Sequence, residues 1–170
     1  AEIARRLGDC QFVFFTPTGA DALMQRLRER LARSFAAAGL ELQACAVFVP
    51  WQSRAQFYGL MAQADVFLDT IGFSGFNTAL QAIEAGLPVA AWEGRFLRGR
   101  LASGLLRRMG LHELVADTPQ GYADIAVRLA QDAAWWGEMR AGMLASRGRL
   151  YGDAAPVRAL EQFFETALRR

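Results

Sequence analysis

Short uninterrupted apolar runs, separated by segments of helical period, constrain this sequence more than any other feature. Runs at 11–15, 44–49, 65–69 and 89–92 lack the every-second-residue alternation of a half-exposed sheet, and a weaker run covers 113–116. Continuous runs of this length predict strands covered on both faces, as in a parallel sheet. Between them the apolar positions return at helical spacing. In 21–38, Leu23, Leu27, Leu31 and Phe35 recur every fourth residue, with Arg26, Arg28, Arg30 and Arg33 elsewhere around the wheel. The segment 54–64 starts behind Ser53, and Gln56 three residues on completes a capping box. The helix expected over 77–85 stops at Gly86 with Pro88 beyond it, and the one over 99–109 stops at Gly110. The helix over 122–131 follows Thr118 and Pro119, a cap with proline at the first helical position.

This alternation predicts an α/β fold: a Rossmann-like parallel sheet wound by right-handed crossovers, with helices on both faces. After Asp132 the strand signals stop. Two extra C-terminal helices are expected over 133–150 and 156–168, separated by Tyr151, Gly152 and Asp153. Trp135, Trp136, Met139, Met143, Phe163 and Phe164 give them apolar faces for a core or for packing against another domain. A length of 170 residues fits one domain. No repeat, linker or low-complexity tract interrupts it.

Composition excludes several function classes. A net charge of +2, with scattered arginines, predicts no nucleic-acid partner. No apolar run approaches the roughly 18 residues of a membrane span. The start, from Ala1 to Leu7, is amphipathic and lacks the apolar stretch of a signal peptide, so a cytoplasmic location is expected. It also lacks an initiator Met, which reads as a cut through a longer protein. All 19 basic residues are arginine. Schiff-base chemistry and a P-loop lysine are therefore excluded within this segment. Cys10 and Cys45 read as small buried hydrophobes rather than a disulfide. One histidine, His112, is too few for a zinc site or a Ser-His-Asp constellation, so neither metal nor cofactor is expected.

Ligands of an open α/β sheet bind beyond the carboxyl ends of its strands. That singles out four loops: 16–20, 50–53, 70–76 and 93–98. In the third, the strand ending at Asp69 runs through Thr70, Ile71, Gly72, Phe73, Ser74, Gly75 and Phe76 into the helix opened by Asn77 and Thr78. Small residues let backbone approach a ligand, and free N–H groups at a helix start favour phosphate. The same residues also serve a plainer purpose, a turn with Ser74 or Asn77 as helix cap. Asp69, at the strand end, is expected to anchor the turn, and Glu84 to face solvent.

The stretch from Phe48 to Ala116 carries ADVFLDT, the small-residue turn, AGLPV and ELVA in that order and spacing. It resembles the C-terminal, donor-binding domain of GT-B glycosyltransferases. Within these it resembles bacterial members of the O-linked N-acetylglucosamine transferase family, often fused to tetratricopeptide repeats. The resemblance implies half of a GT-B fold: residues 1–170 as one nucleotide-sugar-binding domain of a longer two-domain protein. It implies a UDP-sugar donor, N-acetylglucosamine as the sugar, and a protein hydroxyl as acceptor, brought by a domain outside this segment. The family's diphosphate pattern Gly-His-Thr-Thr falls on Gly75, Phe76, Asn77 and Thr78, beside Ser74, and its ribose-binding carboxylate falls on Gln81. By the same comparison Gln52 offers its backbone to the uracil, Arg54 stands for a family lysine, and Arg100 matches a family arginine. The family's first strand, with its basic residue for the diphosphate, would precede Ala1, so the segment by itself is expected to bind more readily than it catalyses. The replacements Phe76 and Gln81 motivate an alternative: a non-catalytic binding or interaction module with a degenerate sugar-nucleotide site.

Overall fold

The computed structural model describes residues 1–169 and has the expected α/β alternation. Helix α1 (Glu2–Leu7) leads into β1 (Phe12–Thr16), α2 (Asp21–Ala36), a single turn α3 (Leu42–Cys45) and β2 (Ala46–Pro50). Then follow α4 (Arg54–Met61), β3 (Phe67–Leu68), α5 (Asn77–Ala85) and β4 (Val89–Trp92). Helix α6 (Leu101–Met109), β5 (Val115–Ala116), α7 (Pro119–Gln131), α8 (Ala133–Ser146) and α9 (Ala155–Leu168) complete the chain. Local chemistry sets many of these bounds. Both halves of the Ser53–Gln56 capping box form, Thr118 accepts from the Gly121 N–H, and Gly86 and Gly110 end their helices left-handed at φ 72° and 85°.

All strand pairs are parallel, but the described strands form two sheets, β1–β2 and β3–β4–β5, where the sequence predicts one. The free edges of β1 and β3 do not pair with each other. Helix α1 connects the halves: Ala4 is fully buried among Phe35, Leu42 and Cys45, while Ile3 packs against the larger core. That larger core holds Ile83, Val89, Leu106, Leu114, Met139 and Met143.

Burial of the strands corrects the sequence reading further. Val89, Ala90 and Ala91 of β4 are covered on both faces, as the continuous run predicts. In β1 and β2 one face stays bare, with Val13 43%, Phe15 39% and Val47 38% exposed. Phe57 of α4 reaches that face, edge-on to the Phe15 ring at 5.1 Å. The run expected as strand from residue 44 begins as the helical turn α3, because a turn brings Leu42 and Cys45 together into the Phe35 cluster. The helix expected from residue 99 begins at Leu101. Before it Leu97–Gly99 forms a 3₁₀ turn, pinned where the Gly94 N–H donates to the Gly99 carbonyl at 2.9 Å.

Trp135, Met139 and Met143 of α8 are core residues. Phe163 and Phe164 are not: every described residue of α9 is exposed, and its apolar stripe of Val157, Leu160, Phe163, Phe164 and Leu168 meets solvent. No described helix is long and apolar enough to cross a membrane.

Candidate functional site

The turn between β3 and α5 is held from beneath by Asp69, which is 3% exposed. The Gly75 N–H donates to Asp69 Oδ1 at 2.8 Å, and the Thr70 N–H and Ser74 hydroxyl face the same carboxylate. Burial pushes the Asp69 pKa above the ordinary carboxylate value, and these three donors work against that rise. The buried Tyr122 hydroxyl donates to the Asp69 carbonyl at 2.9 Å, and burial pushes its own pKa up. Gly72 lies in the left-handed region at φ 83°, which lets the chain reverse.

Ser74 ties the turn to the next loop. Its N–H donates to the Arg98 carbonyl at 2.7 Å, and its hydroxyl oxygen accepts from the Ala102 N–H at 2.8 Å. Ser74 is 1% exposed. It therefore caps a helix, but the helix is α6 and not the one it precedes.

Helix α5 has no side-chain cap; Phe76 stands at its N-cap position and is 47% exposed. Among the described residues no acceptor meets the N–H groups of Phe76, Asn77 or Thr78. Three donors at the positive end of a helix dipole thus point outward from the carboxyl end of β3, an arrangement that favours an anion. Asn77 and Thr78 are exposed beside them, and Gln81 is half-buried one turn along. Gly75 keeps the turn tight: a Cβ there would collide with Thr78 Oγ1.

The other expected residues lie on neighbouring loops. The Gln52 side chain folds back, Nε2 donating to the Pro50 carbonyl at 2.8 Å, which leaves its backbone as the part open to a ligand. Arg54 is exposed in the first turn of α4, with its guanidinium 5.5 Å from the Tyr58 ring centre. Tyr58 in turn donates to Glu84 of α5 at 2.5 Å, as does Tyr151 at 2.9 Å, so α4 and α5 are tied at their surface. No hydrogen bond joins Gln52 or Arg54 to the turn. Arg100 pairs with Glu93, which also takes Arg107 at 2.6 Å. Arg107, then Arg100, hold the Glu93 carboxyl below its usual range, so the Arg100 charge is already partly matched. Beside Trp51, the ends of β1 and β2 open on a cleft of about 510 Å³ bounded by Thr16, Thr18, Arg28 and Pro50.

The structure thus gathers Ser74, Gly75, Phe76, Asn77, Thr78 and Gln81 at one helix start, with Arg100 brought near through Ser74. Sequence reasoning saw Asp69 as an anchor but missed Tyr122 and the Ser74–Ala102 link. These contacts span 53 and 28 residues, and no local pattern signals them. Glu84 and His112 are exposed; Cys45 is buried and Cys10 half-buried, both as free thiols. No cluster of three metal-ligating side chains occurs among the described residues.

Residues 29–151 match the profile of glycosyl transferase family 41. The chain is 39% identical over 84 residues to the UDP-N-acetylglucosamine–peptide N-acetylglucosaminyltransferase of Caenorhabditis elegans, covering 49% of this chain and 7% of that protein. It is 28% identical over 160 residues to a SPINDLY protein of Petunia hybrida, covering 91% of this chain and 16% of that one. A solved structure of a Thermobaculum terrenum O-GlcNAc transferase mutant superposes with a TM-score of 0.78 at 29% identity, over 96% of this chain and 31% of that chain. The chain therefore spans less than a fifth of these two curated relatives.

Proposed function

Because this chain belongs to glycosyl transferase family 41, we propose that it is the donor-binding part of an enzyme that moves N-acetylglucosamine from UDP to a protein hydroxyl. The observation that carries the reading is the uncapped start of α5, with the Phe76, Asn77 and Thr78 N–H groups free at the carboxyl end of β3. A diphosphate resting there would meet three backbone donors, the Asn77 amide and the Thr78 hydroxyl. These groups hold the negative charge that grows on UDP as the bond to the sugar breaks, and being fixed beforehand they need no reorganisation. Phe76 contributes only its N–H. Gln81 takes the ribose hydroxyls through neutral hydrogen bonds, weaker than those of a carboxylate. The Gln52 backbone meets the base, and Arg54 and Arg100 add positive potential around the diphosphate; Ser74 acts by holding the turn. The acceptor, and any base that takes its proton, come from a part of a longer protein outside these 170 residues. A cytoplasmic location accords with this reading.

Calorimetric titration of the chain with UDP, GDP and inorganic phosphate tests it. UDP is expected to bind with a Kd below about 1 mM, within the usual range of enzyme substrates. The variants N77A and T78A are each expected to weaken it about five- to tenfold, at roughly 1 kcal/mol per hydrogen bond. Absence of UDP binding at millimolar concentration, or equal response to all three ligands, would instead support a degenerate binding module.

A further inference from the structure

We infer that Asp69 is the positioning residue of the diphosphate turn, acting through Gly75 and Ser74 without touching the ligand. The inference rests on the donor-site reading and deepens it. A carboxylate beneath an anion site adds repulsion, and burying it costs free energy, so its place there calls for a structural return. The bonds identify that return. Asp69 takes the Gly75 N–H at 2.8 Å, so this amide points inward and the next three, of Phe76, Asn77 and Thr78, are left to point out. The Ser74 hydroxyl faces the same carboxylate while accepting the Ala102 N–H at 2.8 Å. Asp69 thus holds Gly75 by a direct bond, Ser74 beside it holds the start of α6, and Tyr122 donates to the Asp69 carbonyl at 2.9 Å. Asp69 is 3% exposed and Ser74 is 1% exposed, which leaves neither open to a ligand. The other side chains on the turn, Thr70, Asn77 and Thr78, are exposed and form no bond to these groups. Asp69 thus orients the amides that meet the diphosphate, and Ser74 ties the turn to the loop bearing Arg98 and Arg100.

The test compares UDP with uridine, which lacks the diphosphate, on wild-type protein, Asp69→Ala and Asp69→Asn. Asp69→Ala is expected to weaken UDP at least about tenfold while uridine affinity changes less than about twofold. Asp69→Asn keeps an oxygen for the Gly75 N–H and is expected to stay within about threefold of wild type for UDP. UDP affinity unchanged in Asp69→Ala, or lost in proportion with uridine, overturns the inference, since proportional loss marks general destabilisation. If Asp69→Ala does not fold, Asp69→Glu serves: its carboxylate is displaced by one methylene, and the same UDP-selective loss is expected. Should the wild type itself fail to bind UDP, the donor reading falls, and amide exchange then judges the positioning role separately. The Gly75 N–H is expected to exchange faster in the variant while the Val89–Trp92 amides stay protected; unchanged exchange at Gly75 overturns it.

Discussion

A buried hydroxyl that accepts from a helix start distant in sequence has no substitute nearby once it is removed, and Ser74 is such a group. Ser74→Ala would leave the Ala102 N–H without its acceptor. An unsatisfied buried amide costs about 1–3 kcal/mol. At this chain length each kcal/mol lowers the melting temperature by about 2–4 °C. Thermal or urea unfolding of Ser74→Ala should thus show a loss of that size, against almost none for Asn77→Ala, whose side chain is exposed. A Ser74→Ala protein as stable as wild type would mean that the α6 start finds water or another acceptor. The two residues stand three apart in the sequence, yet one is buried in the fold and the other is exposed.

Helix α9 and strand β4 mark the two extremes at the scale of elements. Strand β4 is paired on both edges and its first three residues are fully buried. Helix α9 has a well-formed amphipathic pattern and buries none of its described residues. Helix formation in proteins draws most of its stability from packing of the apolar face, so α9 adds little to the fold of this chain. A version ending at Ala154 is expected to melt within about 2 °C of the full chain, since less than 1 kcal/mol is at stake. A larger drop in differential scanning calorimetry would show that the stripe of Val157, Leu160, Phe163 and Phe164 is covered in solution.

At the scale of the whole molecule, two hydrophobic clusters of unequal size are joined by α1, and Phe57 beside the larger one touches Phe15 of β1. The smaller one, around Phe35 and Cys45, supports a two-stranded sheet with one face partly bare. Sheets of two strands are marginal without cover, and local opening follows from few buried contacts. Hydrogen exchange should therefore be slowest in β4 and in the buried turns of α5 and α6, and faster by about tenfold or more in β1 and β2. Uniform protection across both sheets would show that the halves open as one unit.

Much of this order is legible in the sequence because it depends on neighbours. The Ser53–Gln56 box, the glycines at 86 and 110 and the proline at 119 each satisfy or release backbone groups within one turn of themselves, so residue type and spacing suffice. The turn after Asp69 is legible for the same reason, as a small-residue link from strand to helix. What the chain order cannot specify is which partner a group meets across the fold. Ser74 reads as a cap for the helix it precedes, and tertiary structure gives it to α6 instead, leaving the start of α5 open. Continuous apolar runs in β1 and β2 are composed like that of β4, but cover on each face depends on which elements lie alongside. The apolar stripe of α9 is equally plain in the sequence and equally dependent on a surface to meet it. Short-range hydrogen bonding and periodicity thus determine the elements and the place of the site. The long-range bonds of Asp69, Ser74 and Tyr122 decide which groups of the turn are held inside and which are left exposed.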